Sequence, residues 1–479
     1  MIDLVELVTG RYFDSVRLMQ VSQSIGDMDR IHTSLVAMAT DLNLELLADM
    51  GFDVEAVAGA GPDDLLIAVR ADDQEVADRA RTTIDRMLSS RSDTGGAFFS
   101  PPAPHTVESA ARLIGANLAV ISVPGPHAFV EAMAAIEAGL HVMVFSDNVP
   151  IEHELVLKTE AAKRGLLVMG PDCGTAIVGG LGLGFSNAVE PGPVAIAGAS
   201  GTGIQQLCCL LDAAGVGVTH ALGTGSRDLS AEIGARSTLQ ALEALDADPA
   251  VSVIVLVSKP PEPGVASVVE EAITGCRTPV VTALLGTADV TLERAARQAV
   301  EILGVPWPES PTWIPDAIHG RPGALRGLFS GGTLRAEAHT IAEASLGAIG
   351  TEPGASGHWL CDFGDDRYTR GRAHPMIDPT LRLEALERVV DDPETGVVLV
   401  DIVLGYGAHP DPAPGIAPFV EAGRRSGIAF VVSLCASRGD PQGRDDQARQ
   451  LMEAGAEIHL SNAAAARSAT HLTLEAGRG

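Results

Sequence analysis

Pro193-Val-Ala-Ile-Ala-Gly-Ala-Ser-Gly-Thr-Gly-Ile-Gln-Gln-Leu-Cys-Cys-Leu-Leu211 decides how the rest of the chain is read. Val194 to Ala197 is an apolar run of the length of a buried parallel strand, and Gly198-Ala-Ser-Gly-Thr-Gly203 is a small-residue turn. Leu207, Leu210 and Leu211 then recur at helical spacing. Strand, glycine turn and helix in that order leave the first N–H groups of the helix without partners. With the positive end of the helix dipole they form an anion site, to which Ser200 and Thr202 add hydroxyls. The same residues also fit an ordinary βα turn with small side chains for close packing.

A second copy strengthens the anion reading. Gly323-Ala-Leu-Arg-Gly-Leu-Phe-Ser-Gly-Gly-Thr-Leu-Arg-Ala-Glu-Ala338 repeats the strand, turn and helix, with Ser330, Gly331, Gly332 and Thr333 in the turn. The segments downstream of the two copies correspond as well. Gly223-Thr-Gly-Ser-Arg-Asp228 matches Asp362-Phe-Gly-Asp-Asp-Arg367. Leu239–Pro249 before the strand Val251–Val257 matches Leu383–Pro393 before the strand Val397–Val400. The closing strands are Thr278–Leu285 and Ile428–Leu434. A duplication of this period means two related domains, not a solenoid. One glycine turn per domain, each at a helix start, predicts a composite anion site where the domains meet.

Length and composition set the frame. The 479 residues suffice for three or four α/β domains, and the excess of 62 acidic over 33 basic residues speaks against a nucleic-acid surface. The six cysteines, at 173, 208, 209, 276, 361 and 435, show no CxxC and no paired Cys/His spacing, so neither a structural metal nor a disulfide framework is expected. The acidic start Met1-Ile-Asp-Leu-Val-Glu lacks a basic leader, and no apolar run reaches membrane length; a cytoplasmic protein without membrane contact is expected.

In chain order, residues 1–95 alternate strand and helix as a small α/β domain, with Asp14 or Ser15 as a helix cap, and 91–105 form a Gly/Pro/Ser-rich linker. Residues 106–190 make a Rossmann-like unit in which polar turns, Asp147-Asn148 and Asp172-Cys173-Gly174-Thr175, follow strand ends. Cys173 is either a nucleophile or an inert buried thiol, and His153 sits on a helix surface. Residues 191–310 and 320–479 are the two duplicated domains. The predicted class is thus multidomain α/β.

Leu118-Ala-Val-Ile-Ser-Val-Pro124, Gly170-Pro-Asp-Cys-Gly174, Val194–Gly203, Gly223–Asp228 and Asp248-Pro249 before a strand resemble the α subunit of succinyl-CoA synthetase. The C-terminal half resembles the flavodoxin-like ligase domain of the same superfamily. A fuller match is the FdrA family, carried by Tyr12–Met19, Met143–Val149, Leu167–Thr175, Gly198–Gln205, Val257-Ser-Lys-Pro-Pro261, Ser330–Thr333 and Gly371–Thr380. That resemblance implies a subunit of an oxamate carbamoyltransferase in allantoin breakdown, with two dissimilar partner subunits and homo-oligomerisation. The superfamily instead implies an acyl-CoA synthetase using CoA and ATP with Mg²⁺; a non-catalytic scaffold is the third alternative. Two departures bear on the choice. The synthetase's phosphohistidine segment corresponds here to Gly286-Thr-Ala-Asp-Val-Thr-Leu292, without histidine, and residues 1–105 lack the synthetase's glycine loop for CoA.

The expected chemistry is carbamoyl phosphate plus oxamate in equilibrium with oxalurate plus phosphate. Ser200–Gly203 and Ser330–Thr333 would hold the phosphate, and their N–H donors would meet charge developing on the leaving oxygens. Arg227 or Arg372 would pair with the oxamate carboxylate, and Lys259 would neutralise phosphate. His374 would act as acid or base, and Asp172–Thr175, Gly225 and Asp228 would contact substrate. Arg227–Asp228 as a local ion pair, and Asp362 and Asp401 as either Mg²⁺ ligands or caps, stay open.

Overall fold

The computed structural model describes residues 1–479 except 12, 14, 55, 56, 58, 90–103, 319, 370, 371, 478 and 479. Asp14, the side chain of Ser15 and most of the expected linker therefore lie outside the described residues. The chain divides into two compact units, one of Met1–His105 with Thr369–Ala373, the other of Thr106–Tyr368 with His374–Gly479.

In the smaller unit the strands Ile2–Val8 and Ile31–Met38 both run antiparallel to Leu65–Ala71, which lies between them. Alternation explains why the middle strand is apolar throughout. Leu65, Ile67 and Val69 point into a core with Leu18, Val21, Ile25 and Ile84 of the helices Ser15–Gly26 and Gln74–Ser89. Leu66 and Ala68 point the other way, into a core with Leu47 and Phe52.

The larger unit carries the duplication as topology. In one six-stranded sheet, Val218–Gly223, Val194–Gly198, Val253–Ser258 and Val280–Leu284 lie side by side in parallel. In the other, Trp359–Asp362, Ala324–Phe329, Thr395–Val403 and Ala429–Cys435 repeat that order, also in parallel. Each is the flavodoxin-like arrangement, in which the chain steps to one side of the first strand and then crosses to the other. The C-terminal end of that first strand is the switch point, where ligands bind in open α/β sheets. Both glycine turns occupy it.

Leu118–Ile121, His141–Val144 and Val168–Met169 form a separate three-stranded parallel sheet. The hairpin Thr175–Val178 and Leu181–Gly184, grouped with that unit by sequence, instead extends the first large sheet, where Ile177 pairs with Ala221. Met143, Met169 and Cys173 share one core with Ala195, Ala197, Ile254 and Leu256, so apolar burial binds the small sheet to its neighbour. Among the described residues no helix is long and apolar enough to cross a membrane.

Candidate functional site

The helix Gly201–Ala213 is buried from Gly203 to Leu211, which explains its lack of a polar face: it packs on its own sheet and on the second duplicated half. Gln206 Nε2 donates to Leu460 O at 2.9 Å across that contact. Ser200 caps the helix, its Oγ accepting from Gly203 N at 3.0 Å. The same Oγ lies 2.5 Å from Thr333 Oγ1 on the second glycine-turn helix, Gly332–Leu346. The two helix starts therefore meet. Gly331 is required there: a Cβ would stand 2.8 to 3.0 Å from three side-chain atoms of Thr202.

The meeting is not symmetric. Asp401, fully buried in the strand Thr395–Val403, directs its carboxylate into the second turn. It accepts from Ser330 N at 2.8 Å, Ser330 Oγ at 2.9 Å and Gly331 N at 2.8 Å, and pairs with buried Arg382 at 2.6 Å. Burial pushes the Asp401 carboxyl upward against the pull of Arg382 and these donors. Asp362 stands beside Gly332, accepts from Gly364 N at 2.9 Å, and is pushed up to about 6 by desolvation. The second turn thus already holds the chain's own carboxylate, which corrects the expectation that Ser330 and Gly331 bind phosphate. Asp401 is a cap, not a metal ligand. At the first turn, among the described residues, no carboxylate accepts from Gly201 or Thr202.

Around that turn, Thr224 N donates to Gly198 O at 2.8 Å, and Thr175 Oγ1 would lie 3.3 Å from a Cβ on Gly201. Gly225 has φ +91° and packs on Pro171 O, a conformation and approach closed to other residues. Asp172 follows, in the left-handed region at φ 58°. Desolvation pushes its carboxyl up to about 6. A Ser226 hydrogen bond opposes that rise and Asp147 and Asp366 add to it.

Of the expected site residues, Asp228 and Cys173 turn inward, while Arg227 is tied to a buried glutamate and stays partly exposed. Asp228 is fully buried and accepts from Lys158 Nζ at 2.7 Å, Ser237 N at 3.1 Å, Thr238 N at 2.8 Å and Thr238 Oγ1 at 2.7 Å; it holds the loop and has no face for a substrate. Arg227 does not pair with Asp228. Its guanidinium contacts buried Glu154 at 2.9 Å and Val149 O at 2.7 Å, and Glu154 in turn holds Lys158 at 2.8 Å. Cys173 is 2% exposed with its thiol pushed up to about 12 by burial, which removes it as nucleophile and as substrate contact. Glu154 and Lys158 escape sequence reasoning because an i,i+4 Glu/Lys pair is also the commonest pattern of a solvated helix face.

His374 sits on Phe185, ring centroids 5.8 Å apart, with Nδ1 accepting from Met376 N at 3.2 Å. Burial pushes its imidazole down to about 4, so it stays neutral at pH 7. Lys259 is exposed after the strand Val253–Ser258 and is felt by Asp365 of the second half. Arg372 is exposed and belongs with Thr369–Ala373 to the smaller compact unit, whereas both glycine turns belong to the larger. Among the described residues no group of three or more His, Cys, Asp or Glu is placed to hold a metal ion.

Comparison with known proteins places family models on three segments. "AllF, heavy metal-associated domain" matches residues 1–100, "CoA binding domain" matches 189–283 and "CoA-ligase" matches 328–472. Residues 1–100 contain no cysteine. The chain is 36% identical to the uncharacterized protein YahF of Escherichia coli K12, over 94% of this chain and 95% of that one. It is 32% identical to subunit alpha 2 of the ADP-forming succinate–CoA ligase of Archaeoglobus fulgidus, over 27% of this chain and 47% of the subunit. The dinucleotide-forming acetyl-coenzyme A synthetase 1 of Ca. Korarchaeum cryptofilum, solved with phosphate and ADP, aligns at 17% identity and a TM-score of 0.33, covering 80% of this chain and 88% of that one.

Proposed function

The chain belongs to the FdrA family, with CoA-binding and CoA-ligase domains of the succinyl-CoA synthetase type, and from that premise we propose that it transfers acyl groups to or from phosphate as an acid–thiol ligase-like enzyme. The phosphoryl end of an acyl phosphate would lie at the start of helix Gly201–Ala213, against the N–H groups of Gly201 and Thr202, with Lys259 supplying positive charge. The observation that carries this is the contact of Ser200 with Thr333, which brings the helix starts of the two matched domains to one place.

The residues present fit the phosphoryl part of a substrate. They do not show an anchor for the nucleotide of CoA. The parallel strand-turn-helix of the small sheet has its glycine, Gly125, pressed on Asp147 O, so that helix start is spent on packing. No step is therefore routed through CoA or through ATP and Mg²⁺.

A second reading is carbamoyl transfer between carbamoyl phosphate and oxamate, within an assembly of repeated copies and two dissimilar partners. It is favoured by the turn after Val280–Leu284, which carries no histidine to relay phosphate. Both readings share the displacement of phosphate from an acyl carbon. Two assays separate them: thioester formation from CoA, ATP and a small carboxylic acid, and oxamate-dependent phosphate release from carbamoyl phosphate. Thioester formation supports the ligase, and oxamate-dependent release supports the carbamoyltransferase. If neither occurs, and phosphate and acyl phosphates leave the melting temperature unmoved, a scaffold replaces both; bound ligand at a hundredfold over Kd stabilises by about 2.7 kcal/mol.

A further inference from the structure

Among the described residues, Gln205 carries the one buried side-chain NH2 group that finds no acceptor in the protein. The residue is 2% exposed, and its amide brings two donors inside. Its neighbour Gln206 is buried as well, but there Nε2 donates to Leu460 O, which accounts for a polar side chain on that face of the helix. Arg326 Nε and Arg382 Nε are also without acceptors, yet both guanidinium groups bond through their other nitrogens. A buried amide with no acceptor is a standing cost to the fold, so Gln205 calls for a partner that the chain does not supply.

The place of Gln205 on its helix indicates where that partner lies. It follows Gly201 by four residues on Gly201–Ala213, and residues so spaced share a face one turn apart. Helical side chains lean toward the N-terminal end, so the Gln205 amide runs back along this face toward the first glycine turn. The face is unfilled at its start. Apart from its chain neighbours and the helix backbone, a Cβ on Gly201 would find a single atom within 4 Å, Thr175 Oγ1 at 3.3 Å. Gly201 and Thr202 are partly exposed, so the space beside them reaches solvent. Ser200 Oγ takes up the N–H of Gly203, and the N–H groups of Gly201 and Thr202 stand at the open helix end. The space is thus bordered by two backbone donors, the Thr175 hydroxyl and the Gln205 amide. The helix end and the orphaned amide are independent features, and both require an acceptor.

We propose that Gln205 is a binding residue for the phosphoryl group, its Nε2 donating to an oxygen on the side of the helix while the N–H groups of Gly201 and Thr202 hold the end. The assignment rests on the phosphoryl reading above and extends that site one turn along the helix, onto its buried side. It makes no bond and moves no proton; it fixes the orientation of the phosphoryl oxygens.

The test is calorimetric titration of the full chain with inorganic phosphate, for the wild type, Gln205→Met, Gln205→Glu and Gln206→Met, with the ligand-free melting temperature of each. Gln205→Met should bind phosphate about 10- to 100-fold more weakly, the range of one hydrogen bond to a charged group. Its ligand-free melting temperature should equal or exceed the wild type's, because no unpartnered amide is then buried. Gln205→Glu sets a negative charge beside the phosphoryl oxygens and should abolish binding. Gln206→Met should melt lower, having lost its bond to Leu460 O, but keep the wild-type Kd. In wild-type protein labelled with nitrogen-15 at glutamine side chains, one NH2 signal protected from solvent exchange should shift on adding phosphate, which needs no variant to fold. Gln205→Met with the wild-type Kd, or Gln205→Met and Gln206→Met weakened alike, would overturn the assignment while leaving phosphate at the helix end. A wild type that binds no phosphate would remove the phosphoryl reading, and this residue's role with it.

Discussion

Replacing Asp401 with alanine tests the asymmetry of the two helix starts most directly. The substitution leaves Arg382, itself 3% exposed, without its buried counter-charge, and takes the acceptor from Ser330 N, Ser330 Oγ and Gly331 N. Removing one partner of a buried ion pair costs about 3–5 kcal/mol, because the remaining charge stays desolvated. The unit containing the site has roughly 370 residues, whose unfolding entropy near 60 °C is about 0.8 kcal/mol/K. A loss of about 4 kcal/mol therefore lowers the melting temperature of a cooperative transition by about 5 °C. Differential scanning calorimetry provides the assay, with formate, acetate and phosphate as additives. The alanine variant gains an anion position bounded by two amides and a guanidinium, so these anions should restore part of its stability and raise its melting temperature more than the wild type's. The double variant Asp401→Leu with Arg382→Met removes both charges and should melt between the wild type and Asp401→Ala, since the two amides and the Ser330 hydroxyl then lack their acceptor but no unpaired charge stays buried. A single variant melting within about 1 °C of the wild type, or a double variant less stable than the single, would refute the assignment of Asp401 as the internal anion of the second turn.

The same geometry sets three further outcomes. Gly331→Ala should drive a methyl into Thr202, part the two helix starts and reduce the phosphate-induced thermal shift. Thr202→Gly added to it should restore that shift, because all three near contacts belong to the Thr202 side chain. Glu337, buried and holding Leu292 N and Asn462 Nδ2, is pushed up to about 7 by desolvation. Its folded pKa exceeds its unfolded one, so the folded state binds the extra proton and stability falls as pH rises between about 4.5 and 7. Urea unfolding of Glu337→Gln against the wild type should show an advantage that grows across that window to on the order of 2–3 kcal/mol and then levels off; a pH-independent difference would contradict the shift. Finally, five of the six cysteines are buried, and only Cys276 is partly exposed. An aromatic disulfide reagent should modify about one thiol quickly in the native protein and all six in denaturant, and rapid loss of Cys173 would contradict its enclosure.

What the residues disclose in advance, and what they hide, divides along a physical line. Strand order is recoverable because apolar runs and glycine turns are local signals repeated twice: Val194–Gly203 and Ala324–Gly332 announce the same strand-turn-helix, and the two sheets have the same parallel order. The convergence of Ser200 and Thr333 obeys the same logic, one turn from each copy. The state of each charge is not recoverable. Asp401 lies 71 residues from Ser330, and nothing in Val400-Asp-Ile402 distinguishes a carboxylate capping a distant turn from one facing solvent. Asp228 looks available because it stands in a polar turn, yet Lys158, on a helix about 70 residues upstream, closes it; Arg227 is held by Glu154 of the same helix, and His374 lies against Phe185. A helix start attracts any anion, and the sequence cannot say whether that anion belongs to a ligand or to the protein. Duplication then explains the division of labour. Two equivalent helix starts pressed together would repel if each held its own phosphate. Filling one with Asp401, neutralised by Arg382, lets the second helix support the joint from inside while the first stays open to the substrate.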